Sequence, residues 1–382
     1  HDFRFQVGYA DDASVTPGVV LLFCYPFPDR FVVSVPAGTK HVDQPITATL
    51  TAVDAFGQPV LNFRDDVILT AEVGHFASGP TVLVPGTNFD HGEAQHTVTF
   101  WGTDPVTREN VLHAMGTVIY DGHSQVPDGD ATVAPLLPGD LDRIVLLLPG
   151  ETLTPGASPG KSGTPDSQAS GSSFGGLRVY ATDQRWNPVE SGPYPDITWS
   201  CDDGDPGVVL PPAAVMGDNP ETSYALTLIR TGTTRVTATA SGAVAATSRS
   251  DVPINPQSLH HFDFDTSIWD PDDTQVTTIP FNIRVTARDA NGNLVPINSA
   301  ASLRGRVGAV DEHADYIISS NNQFVNGQLD AMVQFTKRGH ETYIIVDAGV
   351  VSASPAFQVN PGPCEKILLT FPGQEWVYGL ND

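Results

Sequence analysis

The sequence predicts an all-β chain of tandem β-sandwich domains. Three observations carry the prediction: apolar residues alternate with a period of two, Gly, Asn and Pro turns punctuate the alternation, and the whole pattern recurs three times in register. A chain of 382 residues has room for two to four domains, and 40% hydrophobic residues supply the material for their cores. No amphipathic helical period stands out.

The recurring element is a strand that ends in a turn. It reads Ala48-x-Leu50-x-Ala52-x-Asp54, then Leu177-x-Val179-x-Ala181-x-Asp183, then Ile283-x-Val285-x-Ala287-x-Asp289. Strict alternation is the period of a half-buried strand. The turns that follow are DAFGQPV over 54–60, DQRWNPV over 183–189 and DANGNLV over 289–295. An aspartate bonds its own main chain two residues on, and Gly or Asn supplies positive φ, so Asp54, Asp183 and Asp289 open Asx-type turns. A Val six residues after each Asp begins the next extended segment.

Further blocks keep the same register. GEAQHTVTF (92–100), SYALTL (223–228) and GQLDAMVQF (327–335) each run to a glycine, Gly102, Gly232 or Gly339, and then to another alternating strand. An opening strand precedes each copy, at 29–38, 142–151 and 261–267, and occurs once more as EKILLTFPGQ at 365–374. The chain therefore divides into an N-terminal segment 1–27 outside the repeats, domains at 28–137, 138–255 and 256–361, and, in 362–382, the opening strand of a fourth repeat or a donated strand. The joints APLLPGD (134–140), INPQ (254–257) and VNPGP (359–363) carry prolines, which stiffen linkers. The Gly/Ser-rich insertion 154–176 in the second domain reads as a flexible excursion between strands.

These residues resemble the bacterial immunoglobulin-like repeats of the invasin and intimin type. The A-x-D strand end, its Gly/Asn/Pro turn and Val, and the later Gly-led block with its following strand carry the resemblance over residues 28–361. The resemblance implies tandem immunoglobulin-like β-sandwich domains used as an extracellular stalk, spacer or adhesive surface. No outer-membrane barrel, lectin-like tip with a cysteine pair or sorting signal accompanies the motifs.

Composition removes several classes of function. The chain carries 19 basic against 44 acidic residues, a net charge of −25, which repels nucleic acid and anionic membranes. Its longest apolar run, Val19 to Tyr25, is too short for a membrane segment. His1 follows no basic-then-apolar leader, which reads as a signal peptide already removed. No CxxC, HExxH, GxSxG or P-loop occurs, so the chain reads as non-enzymatic and without a cofactor.

Candidate sites are few. His260, His261, Asp263 and Asp265 cluster in sequence, but alternation places His261, Asp263 and Asp265 on the solvent side of a strand. Asp202, Asp203 and Asp205, and Asp270, Asp272 and Asp273, are oxygen-ligand candidates for Ca²⁺. Trp101, Trp186, Trp199, Trp269 and Trp376 are candidates for a sugar-stacking platform, against a core-packing role. Of the three cysteines, Cys24 and Cys364 sit just ahead of opening strands near opposite ends, a spacing that suits an intersubunit disulfide, while Cys201 is left over. The expected role is an extracellular or cell-surface structural or adhesive protein, whether stalk, surface layer or filament subunit. Its expected partners are neighbouring copies of itself or adjacent modules. The alternative is a carbohydrate- or protein-binding accessory region with a surface glycan or protein as ligand.

Overall fold

Alternation becomes strand wherever the repeats place it. The computed structural model describes residues 27–117, 127–190, 192–216 and 221–364. Apart from two short 3₁₀ turns, Gly86–Asn88 and Ala314–Tyr316, every regular element among the described residues is a β-strand. The chain divides into two compact units, His1–Leu137 and Pro138–Asp382.

The first unit is an immunoglobulin-like sandwich. One sheet pairs Arg30–Ser34, Pro45–Val53 and Glu93–Thr99 antiparallel; the other orders Thr81–Val84, Val67–Ala71, Asn110–Gly116 and Asp128–Val133. First, second and fifth principal strands thus share one sheet, and the rest form the other, the crossed connectivity of immunoglobulin and fibronectin sandwiches. Phe31, Leu50 and Val98 meet Leu69, Leu112 and Val133 in its core.

The second unit holds two sandwiches of the same plan, each with its own core. In one, the sheet of Arg143–Leu147, Ser173–Thr182 and Glu221–Thr227 faces the sheet of Asp196–Cys201, Gly232–Ser241 and Ala246–Asn255. In the other, His261–Phe264, Phe281–Arg288, Gln328–Phe335 and Ile317–Ser319 face Ser302–Val307, Gly339–Asp347 and Phe357–Asn360. The repeated apolar positions form these cores. Ala48, Leu50 and Ala52, Leu177, Val179 and Ala181, and Ile283, Val285 and Ala287 are all at most 2% exposed.

The shared motif marks where the chain leaves one sheet for the other. After each aspartate the backbone folds back, and the valine N–H bonds the alanine carbonyl: Val60 to Ala52 at 2.9 Å, Val189 to Ala181 at 3.0 Å and Val295 to Ala287 at 3.0 Å. The later glycine packs on this crossing. Gly92 and Gly327 adopt φ of +79° and +80°, and a Cβ would stand 2.5 Å from the Val60 carbonyl oxygen and 2.3 Å from that of Val295. Only glycine meets both demands.

The insertion 154–176 is not a flexible excursion. Lys161–Gly163 pairs antiparallel with Glu151–Leu153, and Gln168–Ala169 pairs parallel with the strand Ala246–Asn255. Its glycines serve tight turns, with Gly156, Gly160 and Gly163 at φ of +72°, +84° and +86°. Composition alone reads such glycines as slack. A half-buried ion pair anchors the hairpin: Lys161 lies 2.9 Å from Glu151, whose side chain is 5% exposed. Glu151 also accepts from the Leu148 N–H and the Ser250 hydroxyl, both at 2.8 Å.

Gly327→Ala tests the crossing. It is expected to destabilise the chain by about 1–3 kcal/mol or more, because positive φ and a backbone clash add. Gly308→Ala, at φ +69° with open space around it, is the control that isolates the φ contribution. Urea denaturation of both variants measures the difference.

Candidate functional site

The three turn aspartates make one structure three times. Asp54 Oδ1 accepts from the N–H groups of Phe56 (2.9 Å) and Gln58 (2.8 Å). Asp183 Oδ1 accepts from Arg185 (2.8 Å) and Asn187 (2.9 Å), and Asp289 Oδ1 from Asn291 (2.9 Å) and Asn293 (2.8 Å). The third residue after each aspartate takes positive φ: Gly57 at +79°, Trp186 at +63° and Gly292 at +80°. In the second copy the tryptophan, rather than the neighbouring asparagine, therefore bears the unusual backbone conformation. The Arg143 guanidinium 4.8 Å over its ring and the surface of Gly160 hold it there.

The second carboxylate oxygen has a separate task. Asp183 Oδ2 accepts from the Gly139 N–H at 2.8 Å, and Asp289 Oδ2 from the Gln257 N–H at 3.0 Å. Each donor follows a joint proline, Pro138 or Pro256, on the chain entering its sandwich. Each aspartate thus ties its entry linker to its own second strand. The amide four residues on completes the ring, with Asn187 Nδ2 donating to Asp183 Oδ2 at 3.0 Å and Asn293 Nδ2 to Asp289 Oδ2 at 3.1 Å.

Within the second unit the Asp289 turn also joins its two sandwiches. Asn293 Nδ2 donates to the Ile229 carbonyl at 2.9 Å, and its Oδ1 accepts from the Thr231 N–H at 3.2 Å. Asn291 Nδ2 donates to the Ser170 hydroxyl at 3.0 Å, while Gln257 Nε2 donates to the Ser170 carbonyl at 2.6 Å. Gly171 makes room for this approach, since a Cβ there would stand 2.3 Å from Asn291 Nδ2. Asp289 is fully buried. Burial pushes its carboxyl pKa up, but donors from Asn293, Gln257 and Asn291 outweigh that and hold it below the usual carboxylate range.

The acidic loops serve the same joint or local turns. Asp203, 3% exposed, accepts at Oδ2 from the N–H groups of Ile229 (2.7 Å) and Arg230 (3.0 Å), which sets the carbonyl that Asn293 meets. Asp202 accepts from the Arg235 N–H at 2.6 Å and Asp205 from the Gly207 N–H at 2.8 Å. Asp270 accepts from the Asp272 N–H at 2.9 Å, and the Asp273 N–H bonds the Asp270 carbonyl at 3.2 Å. Among the described residues, no group of three or more His, Cys, Asp or Glu side chains is placed to hold a metal ion.

The other sequence candidates stay apart. His261 and Arg288 both pair with Asp263, at 3.2 and 3.0 Å, on the outer face of the third sandwich, and Asp265 accepts from Ser267. Phe262 of the same strand is buried, as alternation requires. Trp269 is buried against Phe281 and Phe357, Trp199 is half-buried edge-on to Tyr224, and Trp101 and Trp186 are half-buried. No two of these four tryptophans are in ring contact with one another among the described residues; Trp376 lies outside the described residues. Cys201 is half-buried, and burial raises its thiol pKa. Cys364 is exposed, while Cys24 lies outside the described residues, as do residues 365–382 of the expected donated strand.

Two elements of the joint escaped the sequence reading. One is Ser170, inside the Gly/Ser-rich insertion. The other is the amide four residues after each aspartate, Gln58, Asn187 and Asn293, a regularity visible in all three copies. On the outer face of the third sandwich, Arg284 pairs with Asp330 at 2.7 Å beside exposed Ile268 and Met332, lining a shallow cleft of about 400 Å³.

No family model matches the chain, and no curated protein matches it. Among solved structures it is similar to invasin, a bacterial integrin-binding protein, at 14% identity and a TM-score of 0.31, over 87% of this chain and 60% of that one. It is also similar to FdeC, an Escherichia coli adhesin, at 16% identity and a TM-score of 0.31, over 89% of this chain and 100% of that one. Domains 1–6 of the surface layer protein SbsC match at 14% identity and a TM-score of 0.26, over 90% of this chain and 41% of that one. The chain thus spans 60% of the invasin structure's length.

Asp289→Ala leaves several part-buried N–H donors unmet and is expected to cost about 1–3 kcal/mol, against under about 1 kcal/mol for Asp54→Ala, whose turn faces solvent. Thermal melts of both variants check the order. Because the folded-state pKa of Asp289 lies below its unfolded value, its contribution is present above the unfolded pKa of about 4 and fades as pH falls through the folded one. A melting series from pH 7 to pH 2 is expected to show an acid loss of stability that is smaller in Asp289→Asn.

Proposed function

We propose that this chain is a non-enzymatic structural or adhesive element working outside the cell, with modules at 28–137, 138–255 and 256–361 of the bacterial immunoglobulin-like kind. One observation carries the reading: the Asp289 turn holds one sandwich on the next through a network of side chains around the buried Asp289 and Ser170. A stalk or spacer needs that kind of joint, because hydrogen bonds of fixed geometry set the orientation of neighbours where an apolar contact permits sliding. The buried carboxylates of Asp183, Asp203 and Asp289 all face main-chain N–H groups, so the polar interior is structural. Joints whose charge is met by N–H donors call for no cation, and chelator is expected to leave the melting temperature unchanged.

Antibody labelling of intact source cells tests the location. The proposal expects labelling without permeabilisation and its loss after external protease. Labelling seen only in permeabilised cells would overturn it.

A second reading, protein binding by an accessory region, is favoured by the outer face of the third sandwich. Ile268, Ile318 and Met332 are exposed there beside the Arg284–Asp330 pair. Exposed apolar residues ringed by charge mark interaction surfaces. Met332→Asp is expected to leave the melting temperature within about 0.5 kcal/mol of equivalent stability while reducing attachment of the protein to host-cell or matrix preparations. Unaltered attachment would remove this face from consideration.

A further inference from the structure

The end of the third sandwich repeats the surface that the second sandwich offers to the Asp289 turn. In the second, Gln168–Ala169 pairs with Ile254–Asn255, and the Ser170 N–H then bonds the Asn255 carbonyl at 2.9 Å. In the third, Gln275–Val276 pairs with Val359–Asn360, and the Thr277 N–H bonds the Asn360 carbonyl at 2.9 Å. Gly171 and Thr278 follow with φ of +67° and +73°, and their N–H groups bond the carbonyls of Leu228 and Phe335. Thr277 therefore stands where Ser170 stands, Thr336 and Arg338 where Ile229 and Thr231 stand, and Gly362 after Pro361 where Gln257 follows Pro256. In the joint the Gln257 N–H points to an aspartate; the Gly362 N–H instead rests on the Thr277 hydroxyl at 2.7 Å.

The first sandwich carries a turn that matches this surface. The Asp54 turn is built as the Asp289 turn is, with Gln58 bringing an amide to the position of Asn293. One difference between the two surfaces is informative. Thr278 replaces Gly171, so its side chain fills the space under which Asn291 reaches, and the next residue, Ile279, is 56% exposed. The Asp54 turn has Phe56 in place of Asn291, and Phe56 is 80% exposed. The asparagine that reaches Ser170 at one site thus has an exposed phenylalanine as its counterpart, and the third sandwich adds an exposed isoleucine, Ile279, where the second has Ser172.

We infer that the third sandwich docks, through Thr277, Thr278, Ile279, Thr336 and Gly362, onto the Asp54 turn of a second copy of this chain. Phe56 covers Thr278 and Ile279, the Gln58 amide lies between the Thr336 carbonyl and the Arg338 N–H, and the Gly362 N–H turns from Thr277 to the second oxygen of Asp54. The inference rests on the reading of the chain as a tandem array of modules. Because the two surfaces differ, the contact is head-to-tail and extends into open chains rather than closing a pair.

Sedimentation equilibrium of the full chain tests it. A small interface without a covalent linker is weak, so the range to examine is ~0.1–1 mM. The weight-average mass is expected to rise with concentration above the 40.6 kDa of one chain. Phe56→Asp and Ile279→Asp, both at exposed positions, are each expected to sediment as monomers with unchanged melts. An equimolar mixture of the two variants is expected to form dimers and nothing longer, because each retains one intact end. A wild-type mass that stays at one chain throughout, association undiminished in either variant, or a mixture that remains monomeric would overturn the inference. These outcomes are independent of cell-surface labelling, so this docking and the extracellular role fail separately.

Discussion

A carboxylate that accepts main-chain N–H groups at the sheet crossing is the interaction on which the rest of this structure depends. Each sandwich passes from its first sheet to its second at an aspartate, and one oxygen of that aspartate closes the turn. At Asp183 and Asp289 its loss would leave part-buried N–H donors with no partner, a larger penalty than at the solvent-facing Asp54 turn. With it, the alanine before and the valine after can pair across the turn, and in the first and third sandwiches the glycine of the later block can lie directly on the crossing. The motif repeated in the sequence is the imprint of this one corner.

The corner was legible in the sequence because its parts are local. Alternation, an aspartate and a glycine or asparagine at fixed spacing depend on backbone geometry alone, and the nine inward positions Ala48 through Ala287 fell where the period put them. What was not legible depends on neighbours distant in sequence. Ser170 looks like any serine of a Gly/Ser-rich stretch until the partner loop with Asn291 is beside it. The same stretch looked slack because composition does not distinguish a glycine that loosens a chain from one that takes positive φ in a tight turn, as Gly160 and Gly163 do. Likewise the acidic loop at Asp202, Asp203 and Asp205 read as ligand chemistry, whereas Asp203 serves the Ile229–Arg230 main chain.

A polar joint has a different physical character from an apolar one. Burying Asp289 is unfavourable until its donors are in place, and then every donor must be in place together, so the network tolerates few alternative arrangements. An apolar contact of equal area would contribute more stability and less orientation. The second unit uses both: apolar side chains fill each sandwich, and hydrogen bonds set the angle between them.

The three turns separate what the aspartate does by itself from what its surroundings add. At Asp54 the Asx bonds form in a half-buried turn with exposed residues at its tip, so the turn needs no neighbouring sandwich. At Asp183 the second oxygen gains the entry linker, and at Asp289 it gains the linker while the side chains beyond gain a whole neighbour. The same few residues therefore first make a corner, then a clasp, then a joint. The choice among these lies in the variable residues of the turn: a phenylalanine at its second position faces outward, and an asparagine there reaches a serine across the boundary. The corner thus stays the same in the three copies, while the side chains at its second and fourth positions determine whether it reaches a neighbouring sandwich.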